Sequence, residues 1–284
     1  MKTRWSKYSL AASVALLLSA CATGPVIDTS YVSQNQDSRA LFLVLHYTVI
    51  DFEKSLRVLT TGGQVSSHYL VRDEPPTIYR LVDENRRSWH AGASSWTGHT
   101  NLNASSIGIE IVNAGYVDGP NGRVYAPYPQ KQIDQVIALC KDIIARHKIR
   151  PERVIGHADI APGRKQDPGP MFPWKQLADA GVIPWPDEAK LDAKRAEYAA
   201  KELPPAEWFQ ERLAKVGYAL PKSGEIDTAT KETLATFQMK YRPSDFAGKP
   251  DSETAALLDV VTSPGGMVLK GEADQPPRPY TSRW

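Results

Sequence analysis

A mixed α/β sheet with helices packed on its faces, followed by a smaller three-helix unit, is the fold class that this chain of 284 residues predicts. Three observations predict it. Strand-like runs at residues 40–47, 66–71, 77–82, 106–113 and 153–160 mix with helical segments without the regular alternation of a purely parallel sheet. Residues 130–147 place Ile133, Val136, Ile137, Cys140, Ile143 and Ile144 at helical spacing, which gives one apolar face for a core. Near Pro184-Trp185-Pro186 the texture changes, and three further helical patterns follow.

The bulk numbers agree with one ordinary domain plus a smaller one. Hydrophobic residues make up 42% and charged residues 23%, enough apolar side chain for a sizeable core. The net charge of +2, from 34 basic against 32 acidic residues, leaves no footprint for nucleic acid.

Residues 1–20 read as an export signal: Lys2, Arg4 and Lys7 precede a short apolar run from Ala11 to Leu18. That run is too short to span a bilayer permanently. It ends in Leu18-Ser19-Ala20-Cys21, which resembles the bacterial lipobox, where the signal is cut before a cysteine that then carries lipid. The resemblance implies a membrane anchor on Cys21, a partner that several acyl chains hold stably. With Ala22 rather than an aspartate next, it implies the outer membrane of a Gram-negative bacterium, facing the periplasm. Cys21 is then unavailable for a disulfide, and Cys140, the other cysteine, reads as a buried free thiol in its apolar stripe.

Residues 21–38 read as a tether, and residues 39–186 as the main domain, with a further helical segment near 55–60. Residues 187–203, charged and alanine-rich, read as a linker: a solvated helix or one lying across the first domain. Residues 204–261 read as three helices, at 206–216, 228–241 and 252–260, with Asp227 and Asp251 placed to cap the last two. The tail, 262–284, holds Pro264, Gly265-Gly266 and Pro276-Pro277 and is expected to be disordered.

Three residues carry the first chemical signal. His46 stands at the end of the apolar run Leu41-Phe42-Leu43-Val44-Leu45; alone it reads first as a satisfied core histidine. His157 ends Val154-Ile155-Gly156, and Asp167 follows ten residues later. Two histidines from strand ends and a loop carboxylate can supply three ligands to a catalytic zinc, leaving the fourth position open. No short HExxH-type signature is present, so spacing alone leaves this open.

Five motifs then occur in order: Leu45-His46-Tyr47-Thr48, Val65-Ser66-Ser67-His68-Tyr69, Trp89-His90-Ala91-Gly92, Ser106-Ile107-Gly108-Ile109-Glu110, and the run from Gly156-His157-Ala158-Asp159 to Asp167-Pro168-Gly169-Pro170. Over residues 41–185 the chain resembles the zinc-dependent N-acetylmuramoyl-L-alanine amidases, relatives of phage lysozyme-type amidases and peptidoglycan recognition proteins, and most of all their lipoprotein branch. The resemblance implies one zinc ion on His46, His157 and Asp167, a catalytic glutamate at Glu110 and an active-site lysine at Lys165. It implies peptidoglycan or muropeptides as substrate, cut between N-acetylmuramic acid and L-alanine. The chain is expected to act as a monomer. Some relatives carry a tyrosine where this chain has Ser67, so that role is not carried over, and Glu110 is left as the base.

The chemistry is coherent on its own terms. Zinc acidifies a water, Glu110 can relay its proton to the leaving amine, and Lys165 supplies positive charge to the developing oxyanion. Taken singly, Glu110 could also be a strand-surface carboxylate and Lys165 a solvated loop charge. His68 reads as a residue that packs the strand or backs a ligand, and His90 as groove wall. Trp89, Trp96, Asn101 and Asn113 are candidates for lining the groove, while His99 and His147 read as incidental. Residues 204–261 resemble the helical peptidoglycan-binding module of wall hydrolases, through Gly224-Glu225-Ile226-Asp227-Thr228-Ala229-Thr230 and Gly248-Lys249-Pro250-Asp251-Ser252-Glu253-Thr254; the same residues would also serve helix capping. Two other readings stand beside the amidase. A non-catalytic wall-binding lipoprotein would not need all three ligands, Glu110 and Lys165, and a zinc peptidase of the stem peptide fits the motifs less well.

Overall fold

The computed structural model describes residues 24–120 and 122–271 and the backbone of 278–280. The export signal and Cys21 lie outside the described residues. The chain divides into a unit ending at Gln36 and a unit beginning at Asp37. Residues 24–36 carry no helix or strand and expose Val26, Ile27, Tyr31 and Val32. Among the described residues no helix is long and apolar enough to cross a membrane.

In the second unit the chain runs through β1 (Phe42–Tyr47), α1 (Phe52–Thr60), β2 (Tyr69–Arg72), β3 (Thr77–Arg80) and the two-residue strands β4 (Ser95–Trp96) and β5 (His99–Thr100). It continues through β6 (Ser106–Ile111), a hairpin of β7 (Tyr116–Gly119) and β8 (Gly122–Tyr125), α2 (Gln130–His147), β9 (Val154–Gly156), α3 (His157–Ile160) and α4 (Trp174–Asp179). The central sheet has the order β3-β2-β6-β1-β9; β2, β6, β1 and β9 run parallel and β3 is antiparallel at the edge.

Alternation along the two central strands assigns the faces. Leu43 and Leu45 of β1 and Ile107, Ile109 and Ile111 of β6 meet Ile133, Val136, Cys140 and Ile143 of α2 and Leu177 of α4. Phe42 and Val44 of β1 point to the other face, into a core shared with Phe209, Leu213, Leu234, Phe237 and Leu258 from the C-terminal helices. A parallel sheet needs such cover on both faces, and here the second domain supplies one of the two. Cys140 is a free, buried thiol, and burial pushes its pKa up to about 12.

Beyond β10 (Trp185–Pro186) come α5 (Glu188–Ala199), α6 (Ala206–Val216), α7 (Thr228–Tyr241), α8 (Ser252–Thr262), β11 (Met267–Leu269) and β12 (Arg278–Tyr280). Asp227 and Asp251 cap α7 and α8 by accepting the amide N–H of Thr230 at 2.8 Å and of Thr254 at 2.7 Å. A buried glutamine pins each Gly-x-x-Asp-x-x-Thr loop: the Gly224 N–H donates to Gln210 Oε1 and the Gly248 N–H to Gln238 Oε1. The repeated motif thus builds the module itself.

Three expectations are corrected. The strand foreseen at 153–160 stops at Gly156, because the Asp159 carboxylate accepts the Gly156 N–H at 2.9 Å and turns the chain into α3. The helix foreseen in the linker, 187–203, forms as α5, but it is packed rather than solvated: it buries Leu191 and Tyr198, and Arg195 and Lys194 pair with Glu253 and Asp259 of α8. The tail from 262 is not structureless throughout, since β11 pairs antiparallel with β10, Trp185 opposite Val268.

Candidate active site

The site lies at the carboxyl ends of the parallel strands, where loops leave the sheet and side chains can converge. His46 is the fifth residue of β1 and faces Glu110 of β6 directly in the parallel register. Both residues project on the module-covered face, with Val44 in β1 and with Ser106 and Gly108 in β6, because alternate residues share a face. His157 opens α3 immediately after β9, and the loop that follows returns Asp167 to it.

Among the described residues, His46, His157 and Asp167 form a cluster whose donor atoms all lie within 4.8 Å of one another. His46 Nδ1 and His157 Nδ1 are 3.0 Å apart, and Asp167 Oδ2 is 2.9 Å from the first and 3.0 Å from the second. All three side chains are buried. The other nitrogen of each ring is already committed. Ser106 Oγ donates to the Leu102 carbonyl at 2.6 Å, so it accepts from His90 Nε2–H at 3.1 Å. His90 Nδ1 is then the acceptor for His46 Nε2–H, at 2.9 Å. His157 Nε2–H donates to the Ala91 carbonyl at 3.0 Å. Both Nδ1 atoms therefore turn lone pairs toward a carboxylate.

Electrostatics sharpen the point. Burial, then the neighbouring His157, lowers the pKa of His46 to about 4, which keeps its ring neutral. Three proton-free donors packed into a buried triangle are satisfied by a cation. Two imidazoles and a carboxylate suit zinc, whose tetrahedral neighbours stand about 3.3 Å apart for bonds of about 2.05 Å. The residues present fit that ion.

Glu110 stands beside the triangle, with Oε1 4.0 Å from His46 Nδ1. Burial, and then the charge of Asp167, raises its pKa well above the ordinary value, while Lys165 acts the other way. Lys165 is exposed and lines the same open groove, about 430 Å³, as Glu110, His157 and Asp167. Trp89 and His90 line the groove as expected, together with Tyr47, whose hydroxyl burial and Asp167 push up to about 12.

The other candidates fall elsewhere. Trp96 is buried and packs edge-on against Tyr218 at 4.9 Å. Asn113 is buried, and its Nδ2 donates to the carbonyls of Ala126 and Pro127. Asn101 is exposed in a left-handed turn at φ 54°. His68 packs the sheet, accepting the Gly108 N–H at Nδ1 and donating from Nε2 to the Arg86 carbonyl. Ser67 Oγ donates to the Gly108 carbonyl at 2.8 Å. His99 stacks edge-on against Phe42. His147, read as incidental, lies 2.9 Å from Glu84 through Nε2 and 2.6 Å from Ser38 Oγ through Nδ1.

Sequence reasoning placed His90 in the groove wall and missed its grip on His46. The signal was Gly108: a Cβ there would stand 2.6 Å from the His90 ring, so only glycine lets that imidazole lie over β6. Tyr128 was also missed; its hydroxyl donates to the Pro168 carbonyl at 2.7 Å and steadies the turn after Asp167.

The chain is similar to known proteins along most of its length. The family model described as N-acetylmuramoyl-L-alanine amidase matches residues 36–170, and that described as "Putative peptidoglycan binding domain" matches residues 203–258. The N-acetylmuramoyl-L-alanine amidase AmiD of Escherichia coli is 41% identical over 269 residues, covering 90% of this chain and 97% of that protein. A solved structure of the E. coli AmiD in complex with anhydro-N-acetylmuramic acid-L-Ala-D-gamma-Glu-L-Lys superposes with a TM-score of 0.74, covering 82% of this chain and 92% of that one. AmpDh3 from Pseudomonas aeruginosa in complex with anhydromuramic pentapeptide superposes with a TM-score of 0.75 at 40% identity, covering 82% and 96%.

Proposed function

The chain belongs to the N-acetylmuramoyl-L-alanine amidase family, and from that premise we propose that its buried His46–His157–Asp167 triangle holds the zinc ion with which Glu110 and Lys165 work. The enzyme hydrolyses the amide bond between N-acetylmuramic acid and the L-alanine of the stem peptide in muropeptides. The observation that carries the site assignment is the triangle itself: two imidazoles whose outer nitrogens are already bonded turn their lone pairs onto one carboxylate oxygen.

Bound there, zinc supplies a Lewis acid that polarises the scissile carbonyl and lowers the pKa of a water from 15.7 to about 7. The chain's own groups do the rest. Glu110 takes a proton from the attacking water as its oxygen adds to the lactyl carbonyl. Lys165, on the groove, faces the negative charge that develops on the carbonyl oxygen. When the C–N bond breaks, Glu110 returns its proton to the nitrogen, and L-alanine leaves as an amine. His90 keeps the His46 ring turned so that Nδ1 faces the metal position.

The finer setting rests on the sequence. Cys21 after its apolar run supports a lipid anchor, an outer-membrane position facing the periplasm, and the use of residues 21–38 as a tether. The match of residues 203–258 supports contact between the helical module and the wall. Chelation followed by zinc titration tests the metal assignment. Release of stem peptide from a muropeptide should vanish with the metal and return at one equivalent of zinc per chain; activity that survives full removal of metal contradicts it.

A further inference from the structure

Asp159 sits two residues after His157 and is 2% exposed. Its carboxylate meets three donors. One is its own loop's Gly156 N–H, at 2.9 Å. The other two belong to the helical module: Tyr218 Oη–H reaches Oδ1 at 2.8 Å, and Lys240 Nζ of α7 reaches Oδ2 at 3.0 Å. A buried carboxylate needs such partners, because an unpaired one carries a heavy desolvation penalty. The partners here come from the far side of a domain boundary.

Both donors are themselves fixed. Tyr218 is 4% exposed and packs against Trp96, and the Gly217 carbonyl beside it accepts the Thr97 N–H at 2.8 Å. The Lys240 ammonium lies 4.3 Å from the centre of the Trp174 ring. Further along the same loop, Gly163 takes φ +74°, and a Cβ there would collide with the Glu232 carboxylate of α7. The segment from His157 to Asp167 is therefore tied to the module at Asp159 and passes close to α7 at Gly163. It carries two of the three groups assigned to the metal.

We propose that the helical module, besides any contact with the wall, is a positioning element of the catalytic loop: Tyr218 and Lys240 hold Asp159, and through it the relative placement of His157 and Asp167. Neither residue lines the groove that holds Glu110 and Lys165. The consequence is that affinity for zinc, and turnover of a small soluble muropeptide that needs no wall binding, depend on side chains of the module. This rests on the reading of His157 and Asp167 as ligands.

The test uses the full mature chain carrying Tyr218→Phe, Lys240→Met or Lys240→Arg, each shown to be folded by its melting curve. Three quantities are read: zinc affinity by competition with a chromogenic chelator, kcat and KM on a soluble muropeptide, and hydrogen exchange of residues 156–168. Tyr218→Phe removes one oxygen and little volume. It should weaken zinc binding about 10-fold, lower kcat with KM unchanged, and speed exchange in that segment. Lys240→Met should do the same, and Lys240→Arg should restore much of the loss. Folded variants that keep wild-type zinc affinity and wild-type protection of residues 156–168 overturn the proposal. A wild-type chain that binds no zinc would instead overturn the ligand assignment, so the two failures are distinguishable.

Discussion

His46 and His90 meet nitrogen to nitrogen at 2.9 Å, and that bond decides which nitrogen of the His46 ring faces His157 and Asp167, where the metal is proposed to sit. The order of donors runs from His46 through His90 and Ser106 to the Leu102 carbonyl, so each proton has one place to go. Groups that orient a metal-binding imidazole in this way typically account for about 10- to 100-fold in affinity or activity. His90→Ala should therefore weaken zinc binding by about that factor while the chain stays folded. Chelator competition measures it, and an unchanged zinc affinity would dismiss the orienting role.

Glu110→Gln should retain zinc and lose turnover by about 10²- to 10⁴-fold, the usual weight of a general base. Metal analysis and stem-peptide release, made on the same preparation, check the two halves. A variant that still releases peptide at the wild-type rate would move the base elsewhere.

The raised pKa of Glu110 fixes a sign for pH dependence. A base must be deprotonated to act, so activity falls as pH drops through its pKa. Lys165 pulls that pKa down. Lys165→Met should move the acid limb of kcat/KM to higher pH, and should also cost about 10²- to 10³-fold in kcat for the lost oxyanion contact. A limb that stays in place would show that the two charges do not sense each other.

Glu84 gives a stability prediction away from the site. Burial would raise its pKa, but hydrogen bonds from Arg146, His147 and Tyr69 outweigh that and hold it at about 2, against an ordinary 4.5. A depressed carboxyl stabilises the fold above the unfolded value and loses that contribution as pH falls through the folded one. The advantage of wild type over Glu84→Gln in urea unfolding should be roughly 2 kcal/mol near pH 6, allowing for the 41% exposure of Arg146, and should shrink between pH 4.5 and 2. A difference independent of pH would contradict the assignment.

Much of this was legible in the chain. The alternation in Ser106-Ile107-Gly108-Ile109-Glu110-Ile111 puts three isoleucines on one face and a serine, a glycine and a glutamate on the other, and the sheet keeps that division. The apolar stripe of α2 and the aspartate caps of α7 and α8 were equally local, and local signals survive folding. What escaped depends on docking. α5 has only Leu191 and Tyr198 buried, too sparse a stripe to distinguish a packed helix from a solvated one. His90 reveals its role only when β6 brings Ser106 beneath it, and Asp159 only when the module arrives with Tyr218 and Lys240. Periodicity carries no record of such partners.

The central claim is hydrolysis at the sugar–peptide amide by the zinc-loaded triangle with Glu110. It is tested most directly by digesting a defined muropeptide in ¹⁸O-labelled water with the mature chain and weighing the products. The label should appear on the lactyl carboxyl of the muramic acid, the stem peptide should leave whole and unlabelled, and Glu110→Gln should yield neither product at a measurable rate. Label on a peptide fragment, or a stem peptide cut internally, would contradict it.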